Sequence, residues 1–499
     1  MPTAPPAASS RRETALIAVL AGFAVLRVAC FAAAFPFYAN VDEQKHVDMV
    51  LKYAGGYLPA PGRAAYQPEM GRLLGLYGSP EYLLGPSQPA PPPAWRRTPA
   101  ETFAVIAASE RFLAERENKE AEQPPAYYLV AGAWLRLGRA FGFEGARLLY
   151  FVRGLGALVA GALVLLAHRL VRELYSDEAL VRWGVPLLAA VFPQDTLFYV
   201  TPDVLSPLLG GLCFTFSLRL ARHPESGALV HAAAGLVLAA ALLTKWTNAA
   251  LWVVAAAASL HAIAHASPGV ALRRFGTRVA LQWTLALAPV LLWCERSLRL
   301  YGDPTGSTLK VARLGWGRKP WAEWLDHPIF TASGLFEFGT GLVPTFWRGE
   351  LAWHRTDLAL PAMDAVYTAS TLLLLVLALA GLRGREPGRF LAEGLAMVAL
   401  AVATGLLVLL SLPFVFDATT NPPASRPYFI QGRLISGVLL PFLLLYVRGF
   451  EVATARLPAH AARTLAWAAI LALALAISIS ELTLAWPVFG SEYNAFHLP

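Results

Sequence analysis

TALIAVLAGFAVLRVACFAAAF, residues 14–35, is the stretch whose reading decides the fold. It carries a single charge, Arg27, and is long enough to cross a hydrocarbon core of roughly 30 Å, which takes about 20 helical residues. In lipid every backbone N–H and C=O must be satisfied inside the protein. A continuous run of Leu, Ala, Val and Gly meets that demand as a helix, whereas a barrel strand would alternate. A short Pro-containing tail ending in Arg11 and Arg12 precedes the run and predicts a cytoplasmic N-terminus. The run is too long for a signal peptide, lacks a small-residue cleavage site, and is followed by further apolar runs.

Those further runs lie near residues 147–171, 181–200, 203–221, 227–243, 246–266, 277–299, 361–383, 388–412, 432–452 and 462–487. Over 499 residues, 56% are hydrophobic and 15% charged, against roughly 25% charged in ordinary soluble domains. The expected fold class is all-α, a polytopic transmembrane bundle of about eleven spanning helices. It divides into 1–35, a cytoplasmic tail and first helix; 36–146, a large first extracytoplasmic loop with interfacial helices; and 147–299, a helical core. A second extracytoplasmic loop, 300–360, and the C-terminal helices, 361–499, complete it. The expected location is the inner (plasma) membrane, crossed many times.

Cys30, Cys213 and Cys294 all lie inside apolar runs, which argues against a disulfide framework or a thiolate metal site. The net charge of +8 is spread over short loops rather than gathered in a basic patch interleaved with aromatics, so nucleic acid is not an expected partner. The chain also lacks a phosphate-binding Gly-rich loop ending in Lys-Ser or Lys-Thr, a His-Glu-x-x-His and a Gly-x-Ser-x-Gly, which argues against a nucleotide-powered machine or those hydrolases.

One run, 124–141, decides the topology. If it spans, the two insertions fall on opposite sides. If it does not, Arg169, Arg172, Arg182, Arg219, Arg222, Arg273, Arg274, Arg383, Arg385, Arg389, Arg448 and Arg456 all become cytoplasmic, as the positive-inside rule favours. With two prolines at its start and Arg136 and Arg139 near its end, it is expected to lie on the outer surface as an interfacial helix.

This topology gathers the polar residues on one face. Asp42, Glu43 and His46 follow the first helix; Glu122 and Gln123 precede the interfacial helix; Asp203 sits in a turn after Tyr199. Lys245 occupies the break 244–248 between two apolar runs, and Gln431 and Arg433 stand at another helix start. Plainer readings exist: acids favour helix N-termini, and a lysine between apolar runs snorkels to the interface. The chemical reading is that the acids and cations serve two halves of one transfer. Asp42 or Glu43 would take a proton from an acceptor hydroxyl, and Lys245 and Arg433 would neutralise a departing lipid phosphate. Asp42, His46 and Asp203 are also candidates for holding a divalent cation, although two carboxylates and an imidazole are not a diagnostic set.

Several patches carry a resemblance. Asn40-Val41-Asp42-Glu43-Gln44-Lys45-His46, continuing to Gly55-Gly56-Tyr57-Leu58-Pro59, and Glu122-Gln123-Pro124-Pro125-Ala126-Tyr127-Tyr128 resemble the acidic and Pro-Pro-aromatic motifs of GT-C-type glycosyltransferases. That superfamily includes protein O-mannosyltransferases and lipid A aminoarabinose transferases. Phe429-Ile430-Gln431-Gly432-Arg433-Leu434 resembles a motif of an uncharacterised bacterial membrane-protein family grouped with them, except that Leu434 stands where that family usually has tyrosine.

The resemblance covers the chain almost end to end. It implies a polyprenyl-phosphate sugar donor and an extracytoplasmic glycan, lipid or protein acceptor. It also implies a first-loop acid as general base and a part for Asp203 in the acceptor or metal region. Tyr127, Arg147 and Arg153 join His46, Glu122, Gln123, Lys245, Gln431 and Arg433 as expected substrate-binding residues. No large soluble domain is expected after the last helix, so the oligosaccharyltransferase type is not the expected one.

Two rival classes fit a charged lipid path. A flippase or transporter of lipid-linked sugars would show inverted repeats with paired broken helices, and none is visible. A non-catalytic assembly subunit would dock through the second insertion, whose Trp316, Trp321, Trp324, Phe346, Trp347 and Trp353 suit either docking or sugar stacking.

Overall fold

The computed structural model describes residues 7–38, 42–58, 60, 62–265, 271–383 and 385–498, with the side chains of 7–10 and 271–275 left out. Its helices are α1 (Ala7–Ala34), α2 (Glu43–Ala54), α3 (Pro68–Tyr77), α4 (Pro99–Ala114), α5 (Ala126–Ala140), α6 (Gly145–Leu174) and α7 (Ala179–Val191). They continue as α8 (Ser206–Arg222), α9 (Ala228–Thr244), α10 (Ala249–Ala264), α11 (Ala271–Tyr301), α12 (Ser307–Arg313) and α13 (Ala332–Arg348). The last four are α14 (Pro361–Ala380), α15 (Pro387–Ser411), α16 (Leu439–Thr454) and α17 (Ala459–Phe489). Among the described residues the only strands are two-residue pairs.

Nine helices among the described residues are long and apolar enough to cross a membrane. They are α1, α6, α11, α14, α15 and α17, together with α8, α10 and α16, the last three each lengthened by the tight turn ahead of it. The chain is therefore built as a multi-pass membrane protein. Two more expected runs form α7, of 13 residues, and α9, of 17. These apolar helices fall below the length of a standard span.

The segment Gly432–Thr454 has 83% of its apolar window buried, against 22% for Pro361–Ala380. The α16 segment is thus the axis of the bundle, and α14 belongs to its outer wall. Ions within the apolar region are matched. Arg27 of α1 pairs with Glu481 of α17 and donates to the Phe192 carbonyl at 3.2 Å, which offsets the cost of removing both charges from water.

The two insertions meet at one end. Lys310 of α12 reaches Glu120 at 2.8 Å, and Arg313 reaches Glu117 and Glu122 at 2.7 and 2.6 Å. Arginines cluster with acids near the other ends of these helices: Arg389, in the first turn of α15, with Glu178 at 2.5 Å, and Arg448, within α16, with Glu393 at 3.3 Å. The side chains of Arg273 and Arg274 lie outside the described residues. The 124–141 run forms α5, of 15 residues, which packs on α2, α6 and α9. Its Arg136 donates to the Ala54 carbonyl of α2 at 2.6 Å, and Trp134 stacks on Phe151 of α6.

The site end is drawn together by one close backbone approach. A Cβ on Gly210 of α8 would sit 1.8 Å from the Gly437 carbonyl oxygen, and one on Gly437 would sit 2.4 Å from Asn248 Oδ1. Any side chain there would drive apart three turns, those carrying Asp203, Lys245 and Arg433. Asn248 closes the junction: its Nδ2 donates at 2.9 Å to the Ala241 carbonyl, which also accepts the Lys245 N–H at 3.2 Å where α9 stops.

Candidate functional site

The chain turns sharply into α2 at Asp42, whose φ of 63° and ψ of 13° place it in the left-handed region. Aspartate tolerates that region better than most residues. Successive helical side chains are about 100° apart, so Asp42 and Glu43 leave the backbone in different directions. Asp42 lines a polar cavity of about 110 Å³. Glu43 does not.

Glu43 instead points into the protein, 0% exposed, and grips Arg153 of α6 through two bonds of 2.8 and 2.6 Å. One of its oxygens also accepts from the Val200 N–H at 3.0 Å. Arg153 spends its remaining donors on the Ala32, Phe35 and Pro36 carbonyls, at 2.9, 2.5 and 2.9 Å, and lies over the Phe37 ring. A charge pair this deep is tolerable only because both carboxylate oxygens and all three guanidinium nitrogens find partners. The structure corrects two expectations here: Glu43 is not placed to take a proton from an acceptor, and Arg153 is not placed to hold a substrate. Both anchor α2 to α6 and to the end of α1.

The cavity is lined by six segments of the chain. Asp42 and His46 come from the start of α2, Glu120 and Gln123 from the segment before α5, Asp203 and Lys245 from the turns beside α8 and α10, and Arg433 from the turn before α16. Lys310 of α12 completes the wall. The cations are held by acids. Lys245 is ion-paired with Asp203, Lys310 with Glu120 at 2.8 Å, and Arg433 with Glu350 at 3.5 Å and Asp203 at 4.0 Å. Asp42 has Lys45 on its outer flank. Three carboxylates therefore face three cations across the small cavity.

Burial and these neighbours set the protonation states. Burial works against the Glu120 carboxylate, but Lys310 and His46 overcome it and hold its pKa down at about 2. Burial pushes His46 down to about 4, against the pull of Glu120, Asp42 and Asp203, so the ring is neutral at physiological pH. Its Nδ1 meets the Tyr128 hydroxyl at 2.9 Å. Burial also lowers Lys245, and Asp203 offsets only part of the effect.

Arg433 is positioned through a neighbour. Glu350, which faces it, follows Gly349, whose φ of 85° suits glycine and whose Cβ would sit 2.0 Å from the Asp195 carboxylate. Asp195 accepts from the Glu350 and Leu351 N–H groups at 2.6 and 2.8 Å, while burial pushes its carboxyl up to about 7. The second insertion is thereby clamped onto the segment between α7 and α8.

Of the expected residues, Asp42, His46, Gln123, Asp203, Lys245 and Arg433 share the cavity. Glu122 turns away to Arg313 at 2.6 Å, and Tyr127 is buried behind the wall with its hydroxyl on the Thr201 backbone. Gln431 lies at the N-terminal cap of the turn before α16 and outside the lining. Arg147 is exposed in the first turn of α6, likewise outside it. The structure therefore corrects the substrate-contact expectation for these four in this cavity. Asn40, Val41 and Pro59 of the first-insertion motif lie outside the described residues.

The sequence reading missed Glu120, Lys310, Glu350 and Asp195. A signal existed for two of them: Lys310 and Arg313 are three apart on one helix face, and Glu117, Glu120 and Glu122 form a matching acidic stretch. Among the described residues no three His, Cys, Asp or Glu side chains are grouped to hold a metal ion. Asp42, His46 and Asp203 line one cavity without converging on a point. Compared with known proteins, the chain matches no family model and, at a significant level, no curated protein.

Proposed function

We propose that this chain is a membrane glycosyltransferase that moves a sugar from a polyprenyl-phosphate donor to an extracytoplasmic acceptor. The observation that carries the reading is that Asp42 shares one cavity with Lys245, Lys310 and Arg433. In this reading α7 and α9 also cross the membrane, giving eleven crossings. The cavity end faces outward, the arginine-rich loops face the cytoplasm, and the membrane is the inner one.

The donor phosphate docks against Lys245 and Arg433, with its lipid tail between helices. Asp42 accepts the proton of an acceptor hydroxyl as that oxygen forms its bond to the sugar's anomeric carbon. The bond from that carbon to the phosphate oxygen breaks, its electron pair stays with the phosphate, and the cations neutralise the added charge. Acids already paired to those cations hold them in position beforehand, so little reorganisation accompanies the step.

Mass spectrometry of envelope glycans and polyprenyl-phosphate sugars tests this in cells carrying the wild-type chain, no chain, or Asp42→Asn. Loss of a glycan with donor build-up is expected in the second and third. A wild-type glycan profile with Asp42→Asn overturns the assignment of the base, and an unchanged profile without the chain overturns the transferase.

A further inference from the structure

A second, larger cavity is a groove of about 830 Å³ beside the charged site, walled by α2, α3, α4 and the end of α12. That is within the usual size of ligand clefts, roughly 300–1,000 Å³. Its titratable lining is one-sided. Lys45, Arg97, Arg116, Lys119 and Arg313 face it, with Glu117 the single carboxylate.

Two of these cations are occupied: Lys45 pairs with Asp42, and Arg313 with Glu117 and Glu122. Among the described residues, Arg97, Arg116 and Lys119 form no ion pair with a carboxylate. Arg97 donates to the Pro92 carbonyl at 2.6 Å, and Arg116 lies 3.8 Å from the centre of the Phe112 ring. Cations left without acids in a concave site raise the local concentration of anions. The half-buried Tyr66 and the exposed Phe112 supply apolar ring surface in the same groove, suited to the C–H faces of sugar rings.

The groove also adjoins the smaller cavity. Lys45 lines the groove, and its partner Asp42 lines the cavity. The Tyr66 phenol, on the groove wall, has its pKa raised by burial and then by Asp48, Asp42 and Glu120, two of which are cavity carboxylates. Resting on the transferase reading, we infer that this groove binds the acceptor, and that the acceptor is an anionic saccharide bearing carboxylate or phosphate groups. The acceptor enters past Lys45, which hands its partner Asp42 to the incoming hydroxyl as an acid group of the saccharide takes over the lysine.

Calorimetric titration of the purified full chain in detergent, without donor, tests the inference. The probes are a trigalacturonate, a neutral maltotriose and inorganic phosphate. Trigalacturonate is expected to bind at least tenfold more tightly than maltotriose and to weaken as salt rises. Arg116→Gln and Lys119→Gln should each lower its affinity about fivefold, and a triple Arg97/Arg116/Lys119→Gln chain should lose it. Equal binding of the two trisaccharides, or full affinity in the triple variant, overturns the inference. So does inorganic phosphate binding as tightly as trigalacturonate, which would make the groove a site for a lone anion. Groove binding with no sugar transfer in any assay keeps the groove as an anionic-saccharide site but fells the transferase reading and, with it, the acceptor role. Transfer to neutral acceptors with an empty groove does the reverse.

Discussion

Asp42 and Glu43 are neighbours in sequence and opposites in circumstance. Glu43 belongs to a packed cluster in which each oxygen and each guanidinium nitrogen has a fixed partner. Asp42 belongs to a cluster in which ion pairs line a cavity of about 110 Å³. Both are rich in charge, but only the second leaves room for a substrate to compete for it. A buried ion pair is therefore not in itself a sign of chemistry: what matters is whether its charges face a volume.

Swapping charges for amides in the two clusters should separate them most sharply. Asp42→Asn is expected to slow sugar transfer by about 10²–10⁴-fold while the chain folds and binds donor normally, because an amide keeps the shape but takes no proton. Arg153→Ala is expected to do the opposite, costing roughly 3–5 kcal/mol of stability by stranding a buried carboxylate. Denaturation in detergent alongside a transfer assay would read both. Replacing the pair together, Glu43→Gln with Arg153→Met, should recover part of the loss. If Glu43→Gln instead folds as well as wild type and stops transfer, the division between anchor and cavity is wrong.

Within the cavity cluster a smaller effect is expected. Lys245→Ala or Arg433→Ala should weaken donor binding ten- to a hundredfold, corresponding to about 1.5–3 kcal/mol for a charged hydrogen-bonding partner. Arg147→Ala, on the exposed start of α6, should leave donor binding alone. Equal losses from all three would mean that the donor is not held in the cavity.

The mildest test is pH. His46 has a folded pKa of about 4 against 6.5 when exposed, so between those values the unfolded chain binds the extra proton. Stability from this group is then fully present above about pH 6.5 and lost as pH falls towards about 4. Asp195, whose folded carboxyl lies near 7, titrates in the opposite sense over the same window, so the test is a difference: on going from pH 6.5 to 4 the wild-type chain should lose melting temperature relative to His46→Gln. The same pH response in the variant would assign the titration to another group.

The apolar runs alone determined the helices and their multi-pass character. Satisfying a backbone in lipid is a local requirement, met or failed within about 20 residues. The same local logic predicted a helix over the 124–141 run, which forms α5 and packs on α2. Which of two adjacent acids faces the cavity was not local. Glu43 is decided by Arg153, 110 positions away, and Glu120 by Lys310, 190 positions away. Arg27, the one charge in the first apolar run, finds Glu481 at a separation of 454. A charged side chain takes its role from whatever the packing brings within about 4 Å of it, and at these separations only the folded bundle specifies that partner.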